Sequence, residues 1–476
     1  MLDLRDLGYL LDDDKFKQGR ILKNFFSGPL ERFHLTVEAP IRQGSRNRPK
    51  RLDSKAIVLA VGDVITEQSP LLEALTEPTI DDVFSTALPS WVSRLSHLKR
   101  LDLFDGSALA NESVCELLHS HCPQLDSLTI YSATSEEADK QIATFISGRR
   151  PNSLVHFENI SNCHIGLETA VALNKHGKSL VVLKIYLTGD KLQALGCLRE
   201  CTSINTLAIE YSGPADDIKK NDGDLYSEIA EWLRNCIALR DISITNMVSA
   251  PDMILPVLLT DAIQLHKLQI NSNEGLMYLV RDHQDFHQSI GQKRSLQELS
   301  LRADPEGLVG DLLAEVTSSI CSLTDLRYLH LTRISDYFSN QHVKAFAQQL
   351  VNLEHIYIGG WGITDGVWDT VARLKNLKTL TFSGLTMFTA QGILGFVDQL
   401  SNGNQGLLLG VDNADAEAPL TSEEQELVQE ALTAKVNGSF AYQLLRGMTN
   451  IHSTSASNSF TTLTSLCRSK YAGIRV

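Results

Sequence analysis

Residues 172–179 read ALNKHGKS, a string that fits the phosphate-cradling pattern G-x-x-x-x-G-K-[ST] with Ala172 in place of the first glycine. In a true loop of this kind, backbone N–H groups and the positive end of the following helix hold phosphate, and the lysine neutralises it. Here the order is reversed. The preceding stretch GLETAVALN has a helical pattern and the following LVVLKI alternates like a strand. The helix dipole therefore points away from any phosphate, and Lys178 is expected to bind no nucleotide. Gly177 is expected to act as a C-terminal helix cap.

His283 and His287 sit four residues apart, with Asp282 and Asp285 beside them. On a helix that spacing puts both imidazoles on one face, which is how two ligands of a divalent cation are presented. The Glu of an H-E-x-x-H motif and a remote third ligand are both missing, so a solvated helix face is the expected reading. No C-x-x-C pair, G-x-S-x-G elbow or glycine-rich dinucleotide motif occurs. Scattered acids cannot be paired into an acid/base dyad. The sequence reads as a non-enzyme, with no catalytic residue, no cofactor and no metal.

The 476 residues carry 43 basic and 57 acidic side chains, a formal charge of −14. That balance argues against nucleic acid as a partner, because phosphate neutralisation needs a basic face. No apolar run nears the roughly 20 residues of a membrane span, so no membrane association is expected. The acidic start, MLDLRDLGYLLDDDKFK, is not patterned as a secretory signal. A cytoplasmic or nuclear location is the expectation.

The elements that would carry these residues form a repeat. L-x-x-L-x-L recurs as LKRLDL from Leu98, LDSLTI from Leu125, LVHFEN from Leu154 and LVVLKI from Leu180. INTLAI from Ile204, LRDISI from Leu239, LHKLQI from Leu265 and LQELSL from Leu296 follow. LRYLHL from Leu326, LEHIYI from Leu353 and LKTLTF from Leu377 complete eleven matches, with steps of 24 to 35 residues and a mean near 28. LERFHL from Leu30 and LLEALT near Leu72 suggest two earlier turns. The tail of each match alternates with period two, as a strand with one buried face does. Between matches the period turns helical: Val114, Leu117, Leu118 and His121 share one face, and Val343, Phe346, Ala347 and Leu350 another. One strand and one helix cannot bury their apolar faces alone, so the units must stack into an α/β solenoid. Three residues before the first Leu stands Cys122, Cys201, Cys236, Leu95, Leu323, Leu350 or Leu374. A helix ends there and tucks into the core, and cysteine serves as a small apolar residue.

CPQLDSLTI resembles the cysteine-containing leucine-rich repeat of F-box proteins. Longer blocks are similar to the repeat region of fungal F-box/leucine-rich-repeat proteins: the run from Leu88 to Tyr131, the run that opens SLVHFENISNCHIGLETA at Ser153, and GLLLGVDNADAEAPLTSEEQELVQEALTAKVNGSFAYQLLRG near the end. The likeness covers about residues 1–447. It implies a horseshoe with a parallel sheet on the concave face and helices on the convex face. It also implies substrate recognition for an F-box-type ubiquitin ligase that directs proteasomal degradation, the alternative being a stand-alone repeat scaffold. The family's usual L-P-x-E-opened adaptor-binding segment is not found. The one Leu-Pro before a helical pattern, Leu88–Pro89, falls within the repeats, so binding to a cullin-type ligase adaptor would need an F-box upstream.

The expected organisation is irregular repeats with a basic loop over 1–97, the solenoid over 98–412, a helical cap over 413–448 and a Ser/Thr-rich tail over 449–476. Segment 42–55 carries six basic residues and one acid and reads as a solvated loop between early repeats, the alternative being a nuclear-localisation or phosphate-binding patch. Eleven of the last 28 residues are Ser or Thr, with no acid among them. Within each repeat, motif positions three, five and seven face the concavity. Large aromatics there have no core to fill and suit an interface. Phe104, Tyr131 and Tyr186 occupy position seven, while Tyr328, His330, His355 and Tyr357 stand on two neighbouring strands. These seven form the candidate site, with a protein substrate as partner.

Overall fold

The computed structural model describes residues 32–34, 63, 66, 71–76 and 83–444, apart from 161–162, 164, 190, 309 and 416–418. The basic segment 42–55 and the tail 449–476 lie outside the described residues. Fifteen strands form one sheet in chain order, each parallel to the next. They are β1 (Arg32–His34), β2 (Ala74–Thr76), β3 (Arg100–Asp105), β4 (Ser127–Ser132), β5 (His156–Asn159), β6 (Val182–Thr188), β7 (Thr206–Ser212) and β8 (Asp241–Thr245). Then come β9 (Lys267–Asn271), β10 (Glu298–Arg302), β11 (Tyr328–Thr332), β12 (His355–Gly359), β13 (Thr379–Ser383), β14 (Leu408–Ala414) and β15 (Ser439–Leu444).

Helices fill the connections. Among the described residues they are α1 (Val83–Val92), α2 (Glu112–His121), α3 (Ala138–Gly148), α4 (Leu167–Leu173), α5 (Gln193–Gly196), α6 (Ile218–Asn221) and α7 (Gly223–Asn235). The next seven are α8 (Ala250–Leu258), α9 (Gln284–Ile290), α10 (Gly310–Cys321), α11 (Asn340–Gln349), α12 (Trp368–Val371), α13 (Ala390–Gln399) and α14 (Ser422–Val436). A parallel sheet in strict chain order, with a helical return between consecutive strands from β2 onward, is a leucine-rich-repeat solenoid.

The repeat leucines lie in the core between sheet and helices. Leu98, Leu101 and Leu103 are buried, as are Leu326, Leu329 and Leu331. The helical face Val343, Phe346, Ala347 and Leu350 is buried as the periodicity requires. In α2 the buried face is Val114, Cys115 and Leu118, and His121 is exposed at the helix end. His121 is the first helical residue whose polarity outweighs its place in the pattern.

Cys122, Cys201 and Cys236 are buried, and burial raises their thiols to about 11, 12 and 12. Their register does more than fill space. The Cys122 thiol donates to the Leu95 carbonyl (3.4 Å), and the Cys236 thiol to the Cys201 carbonyl (3.5 Å). At the same register Lys293 Nζ donates to the Thr260 and Ile263 carbonyls (2.7 and 3.0 Å). Asn404 Nδ2 donates to those of Leu374 and Leu377 (2.9 and 3.2 Å). Each donor meets carbonyls in the stretch between the helix and the strand of the previous repeat. Where cysteine, lysine or asparagine holds this position, it stitches repeat to repeat by a buried polar contact, which a small apolar character alone did not reveal.

The sheet passes through the expected internal boundaries. β1 and β2 extend it below residue 98, and β14 crosses the boundary at 412. α14 begins with the expected capping box: Glu424 N–H donates to Thr421 Oγ1 at 3.2 Å, and Thr421 N–H to Glu424 Oε2 at 2.8 Å. Asn437, with φ +51°, then turns the chain into β15, which pairs with β14.

Candidate partner-binding surface

The aligned register fixes what faces the concavity. Tyr328 is paired with His355, and His330 with Tyr357. The His330 and Tyr357 rings stack at 4.3 Å with an interplanar angle of 15°. Tyr328 approaches His355 at 5.8 Å and His330 at 6.2 Å. Tyr328 Oη and His330 Nδ1 are 3.2 Å apart, His330 Nε2 and Thr332 Oγ1 2.8 Å, and His355 Nδ1 and Thr379 Oγ1 3.1 Å. The four side chains form one half-buried patch rather than four independent projections.

Burial, reinforced by the charge of Arg302, lowers the His330 imidazole to about 4, and burial lowers His355 too. His330 is thus neutral at physiological pH and works as a flat hydrogen-bonding ring.

At the other end of the concavity Phe104 and Tyr131 stack at 6.4 Å, and Phe104 is 46% exposed. Tyr186 stands two strands beyond Tyr131. Its backbone is fixed by Asn159, which occupies a core position where other repeats carry an apolar residue such as Leu, Ile or Phe. Asn159 Nδ2 donates to the Tyr186 carbonyl (2.9 Å), and the Tyr186 N–H donates to Asn159 Oδ1 (3.1 Å). The side-chain amide continues the ladder where β5 stops. Five strand steps, roughly 24 Å at the usual spacing, lie between Tyr186 and the patch around Tyr357. The seven candidates therefore make two separate surfaces.

Charged residues of the concave row line the first surface beside the aromatics. Arg100 donates to Asp102 at 2.8 and 3.0 Å, and Lys184 to Glu158 at 3.2 and 3.1 Å. His156 Nε2 lies 3.2 Å from Glu158. Burial alone would raise the Glu158 carboxyl, but His156 and Lys184 outweigh it and hold it at about 2. This network fixes side chains that a motif gives only as alternating polar positions.

The loops after β11 and β12 each expose a large ring: Tyr337 is 65% and Trp361 53% exposed, 6.4 Å apart. A pocket of about 150 Å³ opens beside them, walled by Tyr357, Trp361, Asp336 and Arg333 and floored by Gly359, Gly360 and Gly384. Aromatics in a polar turn, just past the end of a repeat strand, were the available sign.

The phosphate-loop string lies as expected between helix and strand, α4 and β6. His176 is buried. It accepts the Ser153 and Leu154 N–H groups at Nδ1 (3.2 and 3.3 Å), so Nε2 donates to the Ile146 carbonyl at 3.1 Å. Gly177 has φ −55°, so it is not a left-handed cap. It is needed because a Cβ would stand 2.1 Å from the Glu200 carbonyl oxygen.

The solvated face expected for His283 and His287 is also corrected. His287 is 1% exposed, and neither ring nitrogen has a hydrogen-bond partner. It packs against Tyr278 and Phe286, and burial with the neighbouring His283 lowers it to about 3. His283 Nδ1 is 3.6 Å from Asp252. No group of three or more His, Cys, Asp or Glu among the described residues is placed to hold a metal ion. No described helix is long and apolar enough to cross a membrane.

No protein-family model matches the sequence, and no curated protein does. Three of the solved structures to which the chain is similar are as follows. The complex of Rad7 and Elc1 in yeast is 12% identical over 78% of this chain and 87% of that one, with a TM-score of 0.43. The TLR13–ssRNA13 complex is 13% identical over 80% and 54%, with a TM-score of 0.41. The leucine-rich repeat-containing protein LegL7 from Legionella pneumophila is 14% identical over 71% and 98%, with a TM-score of 0.36.

Proposed function

We propose that the chain is a non-enzymatic scaffold that holds a protein partner on its concave sheet, chiefly at Tyr328, His330, His355 and Tyr357. The observation that carries this reading is the stacked patch itself, with His330 4.3 Å from Tyr357 on adjacent parallel strands. Rings already ordered by the sheet lose little freedom when a partner docks, and Tyr combines a broad apolar face with one hydroxyl. Phe104, Tyr131 and Tyr186 offer a second, more charged contact region. A pull-down from native extract tests the reading with Tyr328→Ala/Tyr357→Ala beside the unmodified chain. Loss of a partner with the fold retained supports it, and an unchanged partner set at an unchanged melting temperature removes it.

The resemblance to fungal F-box/leucine-rich-repeat proteins carries the finer reading, substrate recognition for a ubiquitin ligase in the cytoplasm or nucleus. The stand-alone scaffold differs by one partner, the cullin-type adaptor. Co-purification of that adaptor with the full-length gene product decides between the two.

A further inference from the structure

The pocket at the rim of the concave patch has a chemistry of its own. Its walls are the Tyr357 and Trp361 rings, and its floor is bare backbone at Gly359, Gly360 and Gly384. A Cβ at Gly360 would lie 2.4 Å from the Phe338 carbonyl oxygen, and one at Gly384 2.5 Å from that of Gly360. The floor therefore stays free of side chains because its segments touch. At about 150 Å³ the pocket suits one side chain rather than a small-molecule ligand, whose sites usually exceed roughly 300 Å³.

Two charged side chains line it. Arg333 is engaged by Glu274 at 3.3 Å. The half-buried Asp336 carboxylate makes no hydrogen bond or ion pair with any other described residue. Tyr337, next in sequence, leans toward Trp361. Two or three aromatic faces with one uncommitted carboxylate form a receptor for a cation: ring quadrupoles attract positive charge, and the carboxylate pairs with it. The chain's charge of −14 favours approach of a basic segment over long range.

Resting on the scaffold reading above, we propose that this pocket takes one arginine or lysine side chain from a basic segment of the partner, held between Trp361 and Tyr357 and paired with Asp336.

Trp361 reports on its own site, because Trp91, Trp232 and Trp368 are buried. The test titrates the full chain with N-acetyl-arginine amide and N-acetyl-lysine amide, using N-acetyl-leucine amide as the uncharged control, and follows tryptophan emission. The expected result is a saturable change with the cationic amides alone, abolished in Trp361→Phe. Binding should weaken about fivefold or more in Asp336→Asn. Raising salt from roughly 50 to 500 mM should weaken it as well, an effect that needs no variant to fold. Equal binding of the leucine amide, no effect of salt or of Asp336→Asn, or no saturable change would each overturn the proposal. If the titration fails while Tyr328→Ala/Tyr357→Ala still loses its partner, the basic anchor is wrong and concave docking stands.

Discussion

Asn404 and His287 show the two fates of a buried polar side chain. Asn404 satisfies two carbonyls of the preceding repeat. Asn404→Leu should cost about 1–3 kcal/mol in denaturant unfolding, because the buried Leu377 carbonyl loses its donor, while that of Leu374 keeps the Leu377 N–H. His287 has no partner for either nitrogen. His287→Phe should raise stability near neutral pH by about 1 kcal/mol, since an unpaired buried polar group is removed. It should also change the acid limb. The folded His287 titrates at about 3, below its ordinary value near 6.5, so the unfolded chain takes up the proton first. Its contribution is complete above about pH 6.5 and fades toward pH 3, by about 1.4 kcal/mol per pH unit. The difference between His287→Phe and the parent, followed by urea unfolding across that range, isolates this group from Asp252 and His283 nearby. The sequence displayed the HxxxH spacing but not the burial, because α9 is short and its register depends on Tyr278, which precedes it in an irregular stretch.

At the level of elements, the strands were legible and the helices less so. L-x-x-L-x-L marks a strand through its period of two, and every match from Leu98 to Leu377 holds one. Convex returns vary from the single turns of α5 and α12 to the 15 residues of α14, and the shortest are too brief for a 3.6 period to register. β15 was missed because it follows α14 without a repeat leucine motif. Gly177 shows how an element's end is fixed from outside it. Its helical φ would accept any residue, yet the Glu200 carbonyl leaves no room for a Cβ. Gly177→Ala should lower stability by about 2–3 kcal/mol, measured by thermal or urea unfolding. A neutral result would show that the two turns separate easily. In the concave rows, the aromatic positions were legible because strand alternation assigns them to one face. Their neutrality and mutual stacking were not, since both depend on which side chain the next strand supplies. Tyr337, Trp361 and Asp336 lie in turns, where no periodicity assigns a direction.

For the whole molecule, the continuous sheet makes position along the array equivalent to position in sequence. The two aromatic surfaces are therefore held at a fixed separation, and a partner touching both must span the strands β7 to β10. We propose that a protein partner occupies the concave sheet around Tyr357. Site-specific photo-crosslinking tests it most directly: a photoreactive residue replaces Thr381, which pairs with Tyr357 on the concave side, or Gln348, exposed on helix α11. Exposure of both variants to native extract should give covalent protein adducts from position 381, lost when Tyr328→Ala/Tyr357→Ala is added, and none of the same adducts from position 348. Adducts formed from position 348 alone, or adducts from 381 that persist in the double variant, would contradict it.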